Sequence, residues 1–490
     1  MTSLPPQPNR GGRLILRGGL ANAGGFLIRF GARFGFLFIG ARLFGAEALG
    51  AYVIALAMVE LGVMVGGLGA RWLVFQWIDE REPGRPPLHA IADAALLVSV
   101  GAAIIAAGVA AAAWLLPASL LAPGTALALL LLAPAIWLQA LVELSLAATR
   151  WTEAVRYDVI GKSVIQPWVG IFAAFAAWLA GWEQAGLPFS YLAASIAALG
   201  YSLWGLSRCF SLSDAAGWHP SGERLAAMAR HGTPTMLAEA SDGLAGRFDL
   251  WLVGALLGEA PAGIYGLAKQ IAIVVRQVRQ SVDGLLVPLV ARTVARAGEA
   301  AAGAAVATAA RFVLVIPSPV LIVFAAVGAP LLAEFGEPFR AGATALLLLG
   351  LAEAVQSAFG MGDLIFAYRR PRAGLAVTLA ALALAAILAP FLIERLGISG
   401  AAGAILAGQM LRAIARRLLL RRRFGVAVPL APTAVLLAIT AGGVALAQAL
   451  HFWPGIALLA GLATFGVLVS AWHRMSGTPL LPHGFVDESP

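Results

Sequence analysis

Six basic residues of this chain fall inside long apolar runs: Arg29, Arg33, Arg247, Lys269, Arg276 and Arg279. A charge at mid-bilayer costs about 2.5–3.5 kcal/mol on insertion scales, so such residues normally face a water-filled cavity or a partner. The chemistry open to them is recognition of an anion, and guanidinium groups pair with phosphate through a bidentate fork. Arg29 and Arg33 are spaced i, i+4 and share one helical face. Arg33 lies about 14 Å along the helix from Arg42 at the end of its run, near mid-membrane. Lys269, Arg276, Arg279 and Asp283 recur at spacings that place them on one stripe about 80° wide. Arg276 and Arg279 also admit a bland reading. Their run, 262–290, exceeds the ~20 residues needed to span, so they could snorkel to a membrane surface.

Acids share these runs. Glu60, Asp242, Asp249, Asp283 and Glu353 are candidate coupling or ion-pair residues, beside Glu143, Glu239 and Asp363. Each acid reads either as a partner for a buried cation or as a proton or cation site that couples transport to a gradient. For any single acid the partner role is favoured. Glu353 and Gln356 share a face, which weakly suggests sugar hydrogen bonding there. The single cysteine, Cys209, excludes an intrachain disulfide, and the scattered histidines form no metal-ligand set. Gly161-Lys162-Ser163 looks like the end of a nucleotide-binding loop, but the required first glycine is replaced by Arg156. No cofactor and no metal are expected.

These residues must be positioned by membrane helices. The chain has 490 residues, 60% hydrophobic and only 12% charged, and its mean hydropathy is +0.86. Soluble domains are about 25% charged. Fourteen apolar runs predict fourteen transmembrane helices, at 14–41, 51–76, 90–115, 124–148, 159–180, 189–207, 232–256, 262–290, 312–330, 341–366, 374–392, 398–418, 428–449 and 454–473. Outside the runs, Lys and Arg concentrate in alternate loops, where Arg71, Arg150 and Lys162 are counted with the arginines of 412–423; the opposite loops hold only Arg42, Arg340 and Arg395. That bias puts both termini in the cytoplasm of a multi-pass inner-membrane protein. It also explains the net charge of +9 without nucleic acid. The longest loop, roughly 208–231, is cytoplasmic, and no outward loop is large enough for a catalytic domain, so no enzyme is expected.

One segment is written twice. Arg33-Phe34, Gly40-Ala41, Leu43, Gly45, Gly50 and Tyr52 return as Arg247-Phe248, Gly254-Ala255, Leu257, Gly258, Gly263 and Tyr265 once Phe44 is skipped. Six predicted helices separate the two starts, and an even number preserves orientation, so the repeats are parallel. The expected architecture is all-α: two six-helix lobes, 1–231 and 232–427, around a central cavity. Two further helices follow at 428–475, and then a cytoplasmic tail at 476–490.

The chain resembles the polysaccharide (O-antigen type) flippases of the multidrug/oligosaccharidyl-lipid/polysaccharide exporter superfamily. The residues that carry the resemblance are Asn22 and Arg33, the turn Gly45–Tyr52 with its copy Gly258–Tyr265, Pro288, and Gly397-Ile398-Ser399-Gly400-Ala401-Ala402. The resemblance implies two six-helix lobes that rock between inward and outward states. It implies a polyprenyl-pyrophosphate-linked oligosaccharide as substrate, moved to the outer leaflet for surface polysaccharide or lipopolysaccharide assembly. Membrane lipids surround such a protein, and glycosyltransferases or a polymerase of the same pathway are the protein partners to look for. A cation-coupled multidrug exporter of the same superfamily is the alternative, and a membrane glycosyltransferase or polymerase a more distant one. Six intramembrane cations argue against the exporter, whose cargo is cationic.

Overall fold

The computed structural model describes residues 10–81, 85–277, 315, 318–359, 371–424, 431–450 and 453–476. Among them there is no strand, and nine helices are long and apolar enough to cross a membrane. Large apolar side chains stand exposed along these helices, among them Ile104, Trp114, Phe172, Leu179, Ile387, Phe391 and Val467. That surface suits hydrocarbon rather than water. The chain packs as two units, Met1–Arg247 and Phe248–Pro490.

In the first unit, helix α1 (Arg10–Gly66) joins two of the predicted spans across Gly45 alone, whose backbone leaves the helix at φ 82°, ψ 177°. This conformation is essentially reserved for glycine. The predicted span 51–76 does not run through. It stops at Gly66, passes Leu68 and Gly69 at φ 49° and 66°, and resumes as α2 (Ala70–Gln76) and a π-helical turn, Trp77–Arg81. Close packing accompanies the break. A Cβ on Gly66 would lie 2.6 Å from the Cα of Ala102, and one on Gly232 would lie 2.0 Å from the carbonyl oxygen of Leu68.

Helices α3 (Pro87–Leu115) and α4 (Pro123–Trp151) each begin with proline, where the missing N–H has no intrahelical partner to lose. The predicted span 159–180 is composite: α5 (Val155–Ile160), a π-helical turn (Gly161–Ile165) and α6 (Gln166–Leu179). Helix α7 (Gly186–Cys209) follows. The expected loop 208–231 is shorter than predicted, because a 3-10 turn (Leu212–Ala215) and the start of α8 (Gly222–Ala245) occupy it. Helices α1, α4 and α7 pack around Leu49, Leu132, Ile136, Leu144 and Leu187, while α8 lies against α1, α2 and α3.

In the second unit, α9 (Phe248–Leu257) and α10 (259–277) meet at Gly258, which has φ 94°. The predicted span 232–256 is therefore two helices, α8 and α9, separated by a turn at Gly246-Arg247. Next come α11 (Ser318–Ala333), a 3-10 turn (Glu337–Gly342), α12 (Ala343–Phe359), α13 (Pro371–Leu396) and α14 (Ile398–Phe424). The Gly397–Ala402 motif now has a physical reason. Gly397 turns the chain at φ 58°, and a Cβ on Gly400 would lie 1.9 Å from the carbonyl oxygen of Leu392. Helices α15 (Ala431–Ala449) and α16 (Pro454–Ser476) pack on α11 through Ile322, Ala326, Leu436, Ile439, Ala457 and Phe465.

Candidate functional site

The repeated segment places a glycine turn at the same point in both copies: Gly45 and Gly258 each have left-handed φ, at 82° and 94°. Tyr52 and Tyr265 follow, and both are buried. The charges around the two copies differ. Arg33 is half-buried on α1. Its counterpart Arg247 sits in the turn between α8 and α9, where the N–H groups of Gly246 and Arg247 bond to the carbonyls of Asp242 and Leu244. The Arg247 guanidinium donates to Glu60 Oε2 from Nε at 2.9 Å and from Nη2 at 2.5 Å, and to the Gly243 carbonyl from Nη1 at 3.1 Å.

In the second unit, Asp249 is fully buried. Lys269 Nζ stands 2.6 Å from each of its carboxylate oxygens, and the Tyr265 hydroxyl donates to Oδ2 at 2.5 Å. A buried carboxylate is tolerable only when paired and hydrogen-bonded, and here both conditions hold. Spacing explains the geometry: Tyr265 and Lys269 are four apart on α10 and share a face. Further along that helix, Arg276 Nε lies 3.6 Å from Glu353 Oε2, close enough for an ion pair but too long for a hydrogen bond.

An extended charge network among the described residues involves Arg71, Lys162 and Arg150, which loop charge bias assigns to loops. Arg71 opens α2 just after the glycine break. Its Nε and Nη2 donate to Glu239 Oε1 at 3.1 and 2.7 Å, and its Nη1 reaches Glu143 Oε2 at 3.4 Å. Lys162 Nζ lies 2.9 Å from Glu143 Oε1 and 3.3 Å from Asp158, which Arg150 approaches at 3.6 Å. The Trp72 indole N–H also donates to Glu239. The chain of charges alternates in sign and sums to zero. Lys162, in the rejected nucleotide-loop motif, thus sits in a π-helical turn and pairs with two carboxylates. Near the start of α3, the buried Asp93 accepts from Arg85 at 2.9 Å, Arg224 at 3.1 Å and Trp218 at 2.9 Å, tying the first turn of α8 and the segment before it onto α3.

The expected residues therefore separate. Arg247 meets Glu60, Lys269 meets Asp249, and Arg276 meets Glu353. Asp242 is exposed on α8. Arg29 lies within α1, its side chain outside the described residues, and Arg279 and Asp283 also lie outside them. Sequence reasoning missed Arg71, Lys162 and Asp93 as members of buried networks. The available signal was Gly67-Leu68-Gly69, separated from Arg71 only by Ala70. Among the described residues, no three His, Cys, Asp or Glu side chains stand together as a metal site.

Comparison with known proteins agrees with this architecture. A lipid II flippase MurJ structure in an inward closed conformation matches with a TM-score of 0.72 at 13% identity, over 93% of this chain and 99% of that one. An inward-facing multidrug resistance MATE family transporter of the MOP superfamily matches with a TM-score of 0.61 at 16% identity, over 80% of this chain and 94% of that one. At these identities the likeness is one of fold. No curated protein sequence matches significantly. The family model described as "Polysaccharide biosynthesis protein" matches residues 39–336. The chain is a multi-pass membrane protein with the fold of these transporters, and it belongs to the polysaccharide biosynthesis protein family.

Proposed function

We propose that the protein is a flippase that carries a polyprenyl-pyrophosphate-linked oligosaccharide from the cytoplasmic to the outer leaflet by alternating access. It would act in surface polysaccharide or lipopolysaccharide assembly, in a bacterial inner membrane, with both termini cytoplasmic. The carrying observation is a set of basic side chains in a chain of this family, at the turn before α9 and along α10: Arg247, Lys269 and Arg276, each beside a carboxylate. The carboxylate balances the charge of each cation, which offsets part of the cost of taking it out of water. A diphosphate offers the same oxygen geometry with more charge, so it competes for the same donors. Arg29, Arg33 and Arg279 belong to the same proposed set. A solved protein of like fold is named a lipid II flippase.

The second reading, a cation-coupled exporter, is favoured by Asp249. It is a fully buried acid whose partner Lys269 is partly exposed, so a cation or proton could replace that partner. Glu60, Asp242, Asp283 and Glu353 keep the same role open. The two readings separate in proteoliposomes. A flippase moves a pyrophosphate-linked lipid without ATP, and an exporter moves a cationic dye.

A further inference from the structure

The Arg71 network lies on α2, past the glycine break at the end of α1. Loop charge bias assigns that end to the cytoplasm. Arg71 and Lys162 balance Glu143 and Glu239, so the cluster carries no net charge with which to attract a diphosphate. Two carboxylates would also repel one. Its cavity is about 30 Å³, lined by Arg71, Glu143 and Glu239 beside the backbone of Gly67 and Gly69. That volume holds a hydroxyl group or a water, since one water needs only about 10–15 Å³ by this measure.

Trp72 supplies the other half. The residue is 53% exposed. A tryptophan that only anchors a helix in the membrane interface turns its N–H to water and headgroups. Here the N–H is consumed by Glu239, and the Arg71 guanidinium lies 5.4 Å from the ring centroid. The indole is thus fixed to the charged cluster while the residue stays half open.

Resting on the flippase reading, we infer that Trp72, Glu143, Glu239, Arg71 and Lys162 form a carbohydrate-recognition subsite for the oligosaccharide headgroup, distinct from the cations that take the diphosphate. Carboxylates accept hydrogen bonds from sugar hydroxyls, Arg and Lys donate to them, and the apolar C–H face of a pyranose stacks on the indole. Charge-assisted hydrogen bonds of this kind are about twice as strong as neutral ones.

The test uses the full chain in detergent and two probes: the water-soluble repeat-unit oligosaccharide released by mild acid from the producing cell's lipid-linked pool, and inorganic pyrophosphate. Wild type binds both, read by calorimetry. Trp72→Leu and Glu143→Gln weaken oligosaccharide binding about tenfold or more, as expected for loss of an aromatic or charged anchor, and leave pyrophosphate binding unchanged. Trp72→Phe keeps a stacking face but loses the N–H, and it retains most of the affinity; this separates recognition from misfolding. Unchanged oligosaccharide binding in Trp72→Leu and Glu143→Gln overturns the subsite, as does selective loss of pyrophosphate binding. In proteoliposomes loaded with the lipid-linked pool, absence of translocation by wild type overturns the flippase reading itself. Normal translocation by wild type and both variants alike overturns only the subsite.

Discussion

Arg247 holds one oxygen of Glu60 with two nitrogens, Nε at 2.9 Å and Nη2 at 2.5 Å. The two residues are far apart in sequence and meet because α8 ends in a turn that aims Arg247 back at α1. In the proposed cycle, the diphosphate competes with Glu60 for this guanidinium. Arg247→Gln therefore removes surface polysaccharide at matched protein levels. It lowers stability only slightly, by about 1 kcal/mol, because both partners are partly exposed. The double variant Arg247→Gln with Glu60→Gln restores thermal stability while surface polysaccharide stays absent. Recovery of polysaccharide in the double variant would show that Arg247 serves only the ion pair.

Asp249 presents a different balance. Its carboxylate is wholly buried and takes Lys269 and Tyr265 together. Asp249→Asn removes the carboxylate charge that Lys269 faces, and breaking such a pair costs about 3 kcal/mol. The thermal midpoint in detergent falls by several degrees. A midpoint equal to that of wild type would mean that the pair contributes nothing to holding α9 and α10 together.

Gly232→Ala forces a methyl to 2.0 Å from the Leu68 carbonyl oxygen, so α8 must move off the broken helix. Overpacking of this kind costs about 1–3 kcal/mol. Gly108→Ala is the control, with nothing within 4 Å of the added carbon. There the variant is neutral or gains up to about 1 kcal/mol from helix propensity. Comparable thermal midpoints for the two variants would contradict the close approach at Gly232.

Gly45→Ala and Gly258→Ala test the internal repeat. Neither added carbon meets an atom within 4 Å, so only the left-handed backbone resists, at φ 82° and 94°. Each substitution costs about 1–3 kcal/mol, read as a lowered midpoint in the same melting assay. A cost at one glycine and none at the other would break the equivalence of the two turns.

The sequence revealed the membrane class, the family and the repeated turn because hydropathy and glycine placement act locally. A run of apolar residues spans wherever it occurs, and a glycine at a helix junction needs no distant partner. Arg71 shows where that logic ends. Counting cations by loop proximity placed it with the topogenic arginines, yet its side chain reaches Glu143 and Glu239, 72 and 168 residues away. Arg247 was found by its repeat, but its partner Glu60 was one of several acids until α8 and α1 were packed together. The breaks at Gly67–Gly69 and Gly246 were written in glycine, but glycine is so common here, with 56 in the chain, that composition alone gives no reason to choose them.

The decisive measurement is translocation in proteoliposomes that contain only the purified chain and a fluorescent polyprenyl-pyrophosphate-linked oligosaccharide, with no ATP present. Loss of headgroup fluorescence to an impermeant quencher reports the leaflet. Wild type moves the lipid across the bilayer, and Arg247→Gln does not. A wild-type protein that leaves the lipid in place but expels a cationic dye would contradict the flippase and establish the exporter.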